Sequence, residues 1–422
     1  MENIVLKGGL NLQGKLTAIS SKSHVHRLIV CGCLSDKGCK IKYESSLSND
    51  IMATISCFTS LGAVINANDG IIDIVKPIDK KNIPSNPVLD CNESGSTARF
   101  ILPIISVLCK GATLTGKGRL PDRPFDELCI SLEEHGAKFS SHRLPITVQE
   151  TAKPENYYNI SGNISSQYLS GLLFTLPICK ATGIRLSTEL QSAGYVKLTE
   201  NAMSVFGVKT TLNQNTYTQE GTYHTPGNEL LYAEGDWSNA AFWLCGASDT
   251  PITLNGLNHD SAQPDRQVLE LLTEMGANIT TLDNSVTISI PNGTHGISFD
   301  AKNIPDLVPI LAVRAAVSEG KTVISGIERL RIKESDRVAT VCEMINSLGG
   351  IANSDENHIY IKGVRKLKGG TVNSYNDHRI AMSAAIAALF SENAVEIVGS
   401  NAASKSYPEF FEHYKKMTEE NI

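Results

Sequence analysis

One pattern recurs six times along this chain: a turn, an alternating apolar strand and a second turn. It reads GCKIKYESS from Gly38, GATLTGKGR from Gly111 and TGIRLSTEL from Thr182, then TPITLNGLN from Thr250, GKTVISGIE from Gly320 and NAVEIVGSN from Asn393. Successive copies start about 70 residues apart. An amphipathic stretch ending in glycine, then another strand, follows each of the first five copies. The glycines are Gly62, Gly136, Gly207, Gly276 and Gly349. Apolar residues before each glycine fall at helical spacing, which predicts a helix. The glycine supplies the positive φ of a helix C-terminal cap, and the β-branched residues after it predict a strand. One such unit cannot bury its apolar face alone, so the six must associate. The expectation is an α/β protein of two similar domains, each of three repeated α/β units, with a cleft between them. Solenoid stacking is the alternative, but solenoid repeats are usually shorter.

A chain of 422 residues suits two domains better than one core. LNLQGKLTA, near residues 10–18, and YAEGDWSNA, near residues 232–240, are the candidate crossovers. They predict one discontinuous domain of residues 1–14 and 236–422, and a second of residues 15–235. Aromatic residues make up only 6%, so the cores must be built largely from Leu, Ile, Val and Ala. The net charge of −6 argues against nucleic acid as a partner, because phosphate backbones demand a basic face. It leaves room for a small anion held by local cations. No apolar run approaches a membrane span, and MENIVLKGGL lacks the features of a signal peptide. Ten scattered cysteines, several in apolar stretches, read as reduced core residues of a cytoplasmic protein. The spacing of Cys31, Cys33 and Cys39 does not suit zinc, and no metal site is expected.

Residues suited to chemistry collect after the repeat strands, where helices are expected to begin and where N–H groups and the helix dipole favour anions. SSKSHVHR places Lys22 and Ser23 at a helix start, with Arg27 four residues beyond Ser23 on the same side. Taken alone, this run reads equally well as a capped helix with a solvated basic face. In NESGSTARF, Gly95 permits close backbone approach and Arg99 follows; an ordinary helix start is the simpler reading. GRLPDRP offers Arg119, Asp122 and Arg123 in a proline-bounded loop. Such loops are usually surface turns, although two arginines there suit bidentate contacts to phosphate or carboxylate. In GNISSQYLSGLLF, Ser165, Ser166 and Gln167 precede an apolar helix, as an N-cap or as a neutral phosphate cradle. LQSAGY contributes Ser192 and Tyr195.

The carboxylates come from the C-terminal half. Asp306 in NIPDLVPILA precedes an apolar helix and by itself is an ordinary dipole partner. RLRIKESDR packs Arg331, Lys333, Glu334, Asp336 and Arg337 into a run that would by default be solvated. It follows the fifth repeat strand, however, where Arg119 follows the second. YNDHRIAM sets Asn376, Asp377, His378 and Arg379 before another apolar helix, and ASKSYPEFF puts Lys405 in the matching loop of the sixth repeat. GLNLQGKL and GATLTGKG begin like phosphate-binding loops but lack the final Ser or Thr. The residues by themselves point to an enzyme acting on small molecules that carry phosphate and carboxylate. Cations would stabilise charge and carboxylates would move protons.

SKSHVHR, SSQYL, IPD, RIKESDR, NDHRIAM and KSYP, in this order, resemble the motifs of the EPSP synthase family of enolpyruvyl transferases. The resemblance covers nearly the whole chain, repeat plan included. It implies two domains, each of three α/β units around an inverted barrel, that close around their substrates without a metal or organic cofactor. The implied reaction moves the enolpyruvyl group of phosphoenolpyruvate to the 5-hydroxyl of shikimate 3-phosphate. By the resemblance, Lys22, Ser23, Arg27, Ser165, Ser166, Gln167, Ser192, Asp306 and Lys333 bind shikimate 3-phosphate. Lys22, Gly95, Arg119, Gln167, Arg337, Arg379 and Lys405 bind phosphoenolpyruvate. Asp306 is the implied base, Glu334 the implied acid, and Lys22 the third catalytic residue. The implied protein is a cytoplasmic monomer with no nucleic-acid or membrane partner.

The chain departs from the family where Glu93 and Phe100 flank the Gly95 helix start, positions at which the family often has Asn and Pro. Arg329 stands where some members have Asn. A sister enzyme that uses UDP-N-acetylglucosamine is one alternative, but its members usually carry a cysteine in the loop that here reads GKGRLPDRP. A non-catalytic module that binds phosphorylated metabolites is the other.

Overall fold

The computed structural model describes residues 2–227 and 230–419. The chain divides into two compact units. The first runs to Ser21 and resumes at Glu234; the second is Lys22–Ala233. The breaks therefore fall after Ser21 and before Glu234, not after residue 14 and before 236. The reason is hydrogen bonding. Gly14–Thr17 pairs in parallel with Ile252–Asn255. Beyond it, Ser21 N donates to Glu234 O at 2.7 Å, and Asp236 N donates to Ile19 O at 2.8 Å. Both crossing segments are thus tied into the first unit.

Each unit contains three small sheets, and five of the six share one plan. In the second unit Val88–Asp90 pairs in parallel with Thr113–Thr115. Thr113–Thr115 is antiparallel to Ile146–Glu150, which is antiparallel to Lys138–Phe139. The strands around Gly183–Leu186 and Cys39–Lys42 repeat this order, as do those around Ile252–Asn255 and Lys321–Ser325 in the first unit. The sixth sheet differs because no hairpin follows its repeat strand. Val395–Val398 pairs in parallel with Gly370–Asn373, and Asn3–Leu6 takes the antiparallel place. The five expected cap glycines all have positive φ, from 81° at Gly349 to 106° at Gly276. Only glycine adopts that conformation without steric cost.

The helices fall into two kinds. Lys22–Leu34, Gly95–Leu108 and Ser166–Thr175 in the second unit are buried along most of their length. In the first unit every residue of Trp237–Gly246, Val308–Ala316 and His378–Leu389 is buried. A helix that is apolar all round belongs inside, and these six form the interiors. Asn49–Ser60, Asp126–Glu133 and Arg337–Ser347, by contrast, bury one face. Each unit has its own core, dominated by Leu, Ile, Val and Ala. The few aromatics cluster, as where Trp243 stacks on Phe410 with ring centroids 5.1 Å apart. All ten cysteines are free and eight are buried.

Candidate active site

The inner helices of the second unit start in a polar network. Lys22 Nζ lies 2.6 Å from Asp50 Oδ2. The Ser23 carbonyl accepts from Arg27 Nη1 at 2.7 Å. Arg27 is buried; its Nε donates to Thr199 Oγ1 at 2.8 Å and its Nη2 to the Tyr195 carbonyl at 2.9 Å. Burial pulls its pKa down to about 10, so it stays a cation at neutral pH. Helix Gly95–Leu108 is capped by Ser94. A Cβ on Gly95 would lie 2.6 Å from Arg123 Nη1 and 2.8 Å from Arg99 Nη1. With any other residue here both guanidinium groups would have to draw back from this helix start.

Gln167 joins two of these helices. It accepts from Arg99 Nη1 at 2.8 Å and donates to Ser96 Oγ at 2.9 Å. Ser165 caps helix Ser166–Thr175 by accepting from Gln167 N. Ser192 is buried in a left-handed conformation (φ 55°, ψ 42°) before helix Ala193–Val205. A serine in this region is uncommon. Arg119 leads into the turn Leu120–Asp122.

In the first unit one arginine gathers the carboxylates. Arg337, 1% exposed, donates to Asp306 Oδ1 at 2.7 Å, Glu334 Oε2 at 2.8 Å and Asp377 Oδ2 at 2.9 Å. Lys333 Nζ is 3.4 Å from Asp306 Oδ1, and Arg379 Nη2 is 3.8 Å from Asp306 Oδ2. Lys405 Nζ donates to the Asn376 carbonyl at 2.6 Å. Tyr375 and Asn376 are consecutive non-glycine residues with φ of 52° and 57°. Strained backbone of this kind collects at functional sites.

The two sets of helix starts differ in charge. In the second unit the caps Ser94 and Ser165 are neutral, so the N–H groups and dipole favour an external anion. In the first unit Asp236 and Asp377 are caps, and Asp306 stands just before Val308–Ala316. Asp377 and Asp306 meet Arg337, and Asp306 also lies near Lys333 and Arg379. Burial alone would raise the Asp306 pKa, but Lys333, Arg379 and Arg337 outweigh it and hold the carboxyl well below its usual value. Burial lowers the pKa of Lys333, with Asp306 opposing.

A pH dependence follows. A depressed folded-state pKa gives stability that is present above the unfolded carboxylate value, about 4, and lost as pH falls through the folded value. Urea unfolding below pH 4 should show wild-type stability falling more steeply than that of Asp306→Asn. Parallel slopes would mean that Asp306 is not held ionised.

Two contributors, Asp50 and Asp265, lie outside the motifs, and a third, Asp377, lies inside one. Asp50, partner of Lys22, lies in the first turn of Asn49–Ser60 behind its cap Ser48. Asp377 is fully buried and accepts from Arg337, from Ser335 Oγ at 2.9 Å and from Arg379 N at 2.9 Å. Its place in NDHR was visible, but not its burial. Asp265 carried no signal beyond the turn residues of SAQPD. Among the described residues no group of three or more His, Cys, Asp or Glu side chains is placed to hold a metal ion. Among the described residues no helix is long and apolar enough to cross a membrane.

A family model described as EPSP synthase (3-phosphoshikimate 1-carboxyvinyltransferase) matches residues 6–414. The chain belongs to the EPSP synthase family. It is 39% identical over 415 residues to the 3-phosphoshikimate 1-carboxyvinyltransferase of Clostridium acetobutylicum, covering 96% of this chain and 95% of that one. The enzyme of that name from Clostridium botulinum is 38% identical over 420 residues, with the same coverage. An EPSP synthase structure from Acinetobacter baumannii superposes with a TM-score of 0.80 at 24% identity, over 99% of this chain and 98% of that one. The EPSP synthase fold is therefore shared well beyond close relatives.

Proposed function

We propose that the polar helix starts of the second unit and the arginine-bound carboxylates of the first carry the reaction of the EPSP synthase family in this chain. That reaction transfers the enolpyruvyl group of phosphoenolpyruvate to the 5-hydroxyl of shikimate 3-phosphate and releases phosphate, a step of the shikimate pathway. The observation that carries the assignment of roles is the gathering of Asp306 and Glu334 on one buried arginine, Arg337. A proton acceptor and a proton donor are thereby held in fixed relation.

In this reading Asp306 accepts the 5-hydroxyl proton while the oxygen attacks C2 of phosphoenolpyruvate. Glu334 protonates the methylene carbon. Loss of a methyl proton and of phosphate from the tetrahedral intermediate restores the enol ether. The enol carbon is a poor base, so its proton donor must be close and shielded from water. Asp306 is a weak base while Lys333, Arg379 and Arg337 surround it. Anionic substrates compete for Lys333 and Arg379, and drawing those cations away raises its proton affinity. Substrate binding thus prepares the base.

Shikimate 3-phosphate is assigned to Lys22, Ser23, Arg27, Ser165, Ser166, Gln167, Ser192, Asp306 and Lys333. Phosphoenolpyruvate is assigned to Lys22, Gly95, Arg119, Gln167, Arg337, Arg379 and Lys405. The hydroxyl-capped start of Ser166–Thr175 and the buried Arg27 beside Ser23 support the first set. The arginine and lysine that surround Asp306 support part of the second. Each unit is read as an inverted α/β barrel, with three sheets around its inner helices. A monomer in the cytoplasm is the matching reading, and ten free thiols support the compartment.

The test is phosphate release from phosphoenolpyruvate with shikimate 3-phosphate and with UDP-N-acetylglucosamine offered separately. Release with shikimate 3-phosphate alone is expected. Release with the nucleotide sugar alone would keep the chemistry and replace the acceptor, and release with neither would leave a binding module.

A further inference from the structure

Asp265 has no role in the scheme above, yet it sits within the machinery of the first unit. It is fully buried, in the turn Pro264–Gln267. The Ser238 hydroxyl donates to its Oδ2. The Ser238 carbonyl in turn accepts from Arg379 Nη1 at 3.0 Å. The loop that carries Asp265 is fastened to the same helix start. Gln263 accepts from Trp237 N at 3.0 Å and donates to the Gly235 carbonyl at 2.7 Å. Asp265, Ser238 and Arg379 therefore form a chain from a rigid turn, through the first turn of helix Trp237–Gly246, to a guanidinium beside Asp306.

We infer that Asp265 is a positioning residue for Arg379, acting through Ser238, and that it keeps this guanidinium directed at an anionic substrate. The inference rests on the assignment of Arg379 to phosphoenolpyruvate. The physical need is clear. Arg379 Nη2 stands 3.8 Å from Asp306, longer than a charge-assisted hydrogen bond. Without a second anchor the guanidinium would close on Asp306 and both would be lost to the reaction. The main-chain carbonyl of Ser238 supplies that anchor, and Asp265, by holding the Ser238 hydroxyl, tethers the helix start that presents it. The charged groups acting on Asp265 are Asp306, Arg379 and Asp236. Burial, then Asp306, push its pKa up to about 6, with Arg379 opposing.

The test compares Asp265→Ala, Asp265→Asn, Ser238→Ala and their double variant, by steady-state kinetics in both substrates. Asp265→Ala should raise the KM for phosphoenolpyruvate about tenfold, with the KM for shikimate 3-phosphate within about twofold. Asp265→Asn should recover part of the loss, because its amide oxygen still accepts from Ser238. Asp265→Ala combined with Ser238→Ala should be no worse than Asp265→Ala alone, since both break one chain. If Asp265→Ala does not fold, the Asn and Ser238→Ala variants carry the comparison. An unchanged KM for phosphoenolpyruvate in those two, equal losses for both substrates, or strictly additive effects would overturn the proposal. Arg379→Ala is the control. If it too leaves phosphoenolpyruvate untouched while wild type turns over, the assignment of Arg379 fails first and takes the proposal with it.

Discussion

Turnover of Glu334→Gln is expected to fall by about three orders of magnitude, the contribution of a well-placed general acid, while both substrates still bind. The substitution is nearly isosteric. Glu334 Oε2 accepts from Arg337 Nη2 at 2.8 Å, and a glutamine oxygen can keep that bond. The side chain is 24% exposed, so losing its charge leaves little desolvated surface unmatched. What disappears is the transferable proton. Rapid-quench turnover, together with calorimetric binding of shikimate 3-phosphate, separates the two effects. Turnover within tenfold of wild type would remove Glu334 as the acid. Loss of binding in step with turnover would make it a ligand instead.

Arg337→Met should have the largest effect on stability, about 3–5 kcal/mol, as when one member of a buried ion network is removed. Arg337 is 1% exposed and Asp377 is fully buried. Asp377 also accepts from Ser335 and caps helix His378–Leu389, so it cannot turn out to solvent without breaking the start of that helix. The variant leaves Asp306, Glu334 and Asp377 without their shared cation. Arg331, in the same charged run, is the contrast. It lies 3.8 Å from Asp336 with both side chains about 40% exposed, and Arg331→Met should change stability by under about 1 kcal/mol. Urea unfolding of the two variants at neutral pH makes the comparison. Equal, small losses would mean that Arg337 contributes no more than a surface pair.

That contrast marks where sequence reasoning stops. In RLRIKESDR the two arginines look alike, because hydropathy and spacing carry no information on which side chain will be covered by another element. Burial of Arg337 depends on Asp377, 40 residues later, in a different repeat. The same limit explains Asp50, whose carboxylate meets Lys22 across 28 residues, and Asp265, which reaches Arg379 only by way of Ser238. Arg123 is a milder case. GRLPDRP offers Arg119 and Arg123 alike, and packing alone places Arg123 against Gly95.

Local physics made the rest legible. The repeat, its strands and its cap glycines depend on side-chain period and on the positive φ that only glycine tolerates, so they could be read without knowing any partner. The helix starts at Lys22, Gly95 and Ser166 followed from apolar runs behind capping residues. The membership of each strand was different. Gly14–Thr17 pairs with Ile252–Asn255, far along the chain, and Asn3–Leu6 completes the last sheet against Val395–Val398. Short-range patterns determine what each segment is. Which segments share a sheet, and which carboxylates share a cation, was decided by long-range pairing, because hydrogen bonds and charges are satisfied by whatever the fold brings near.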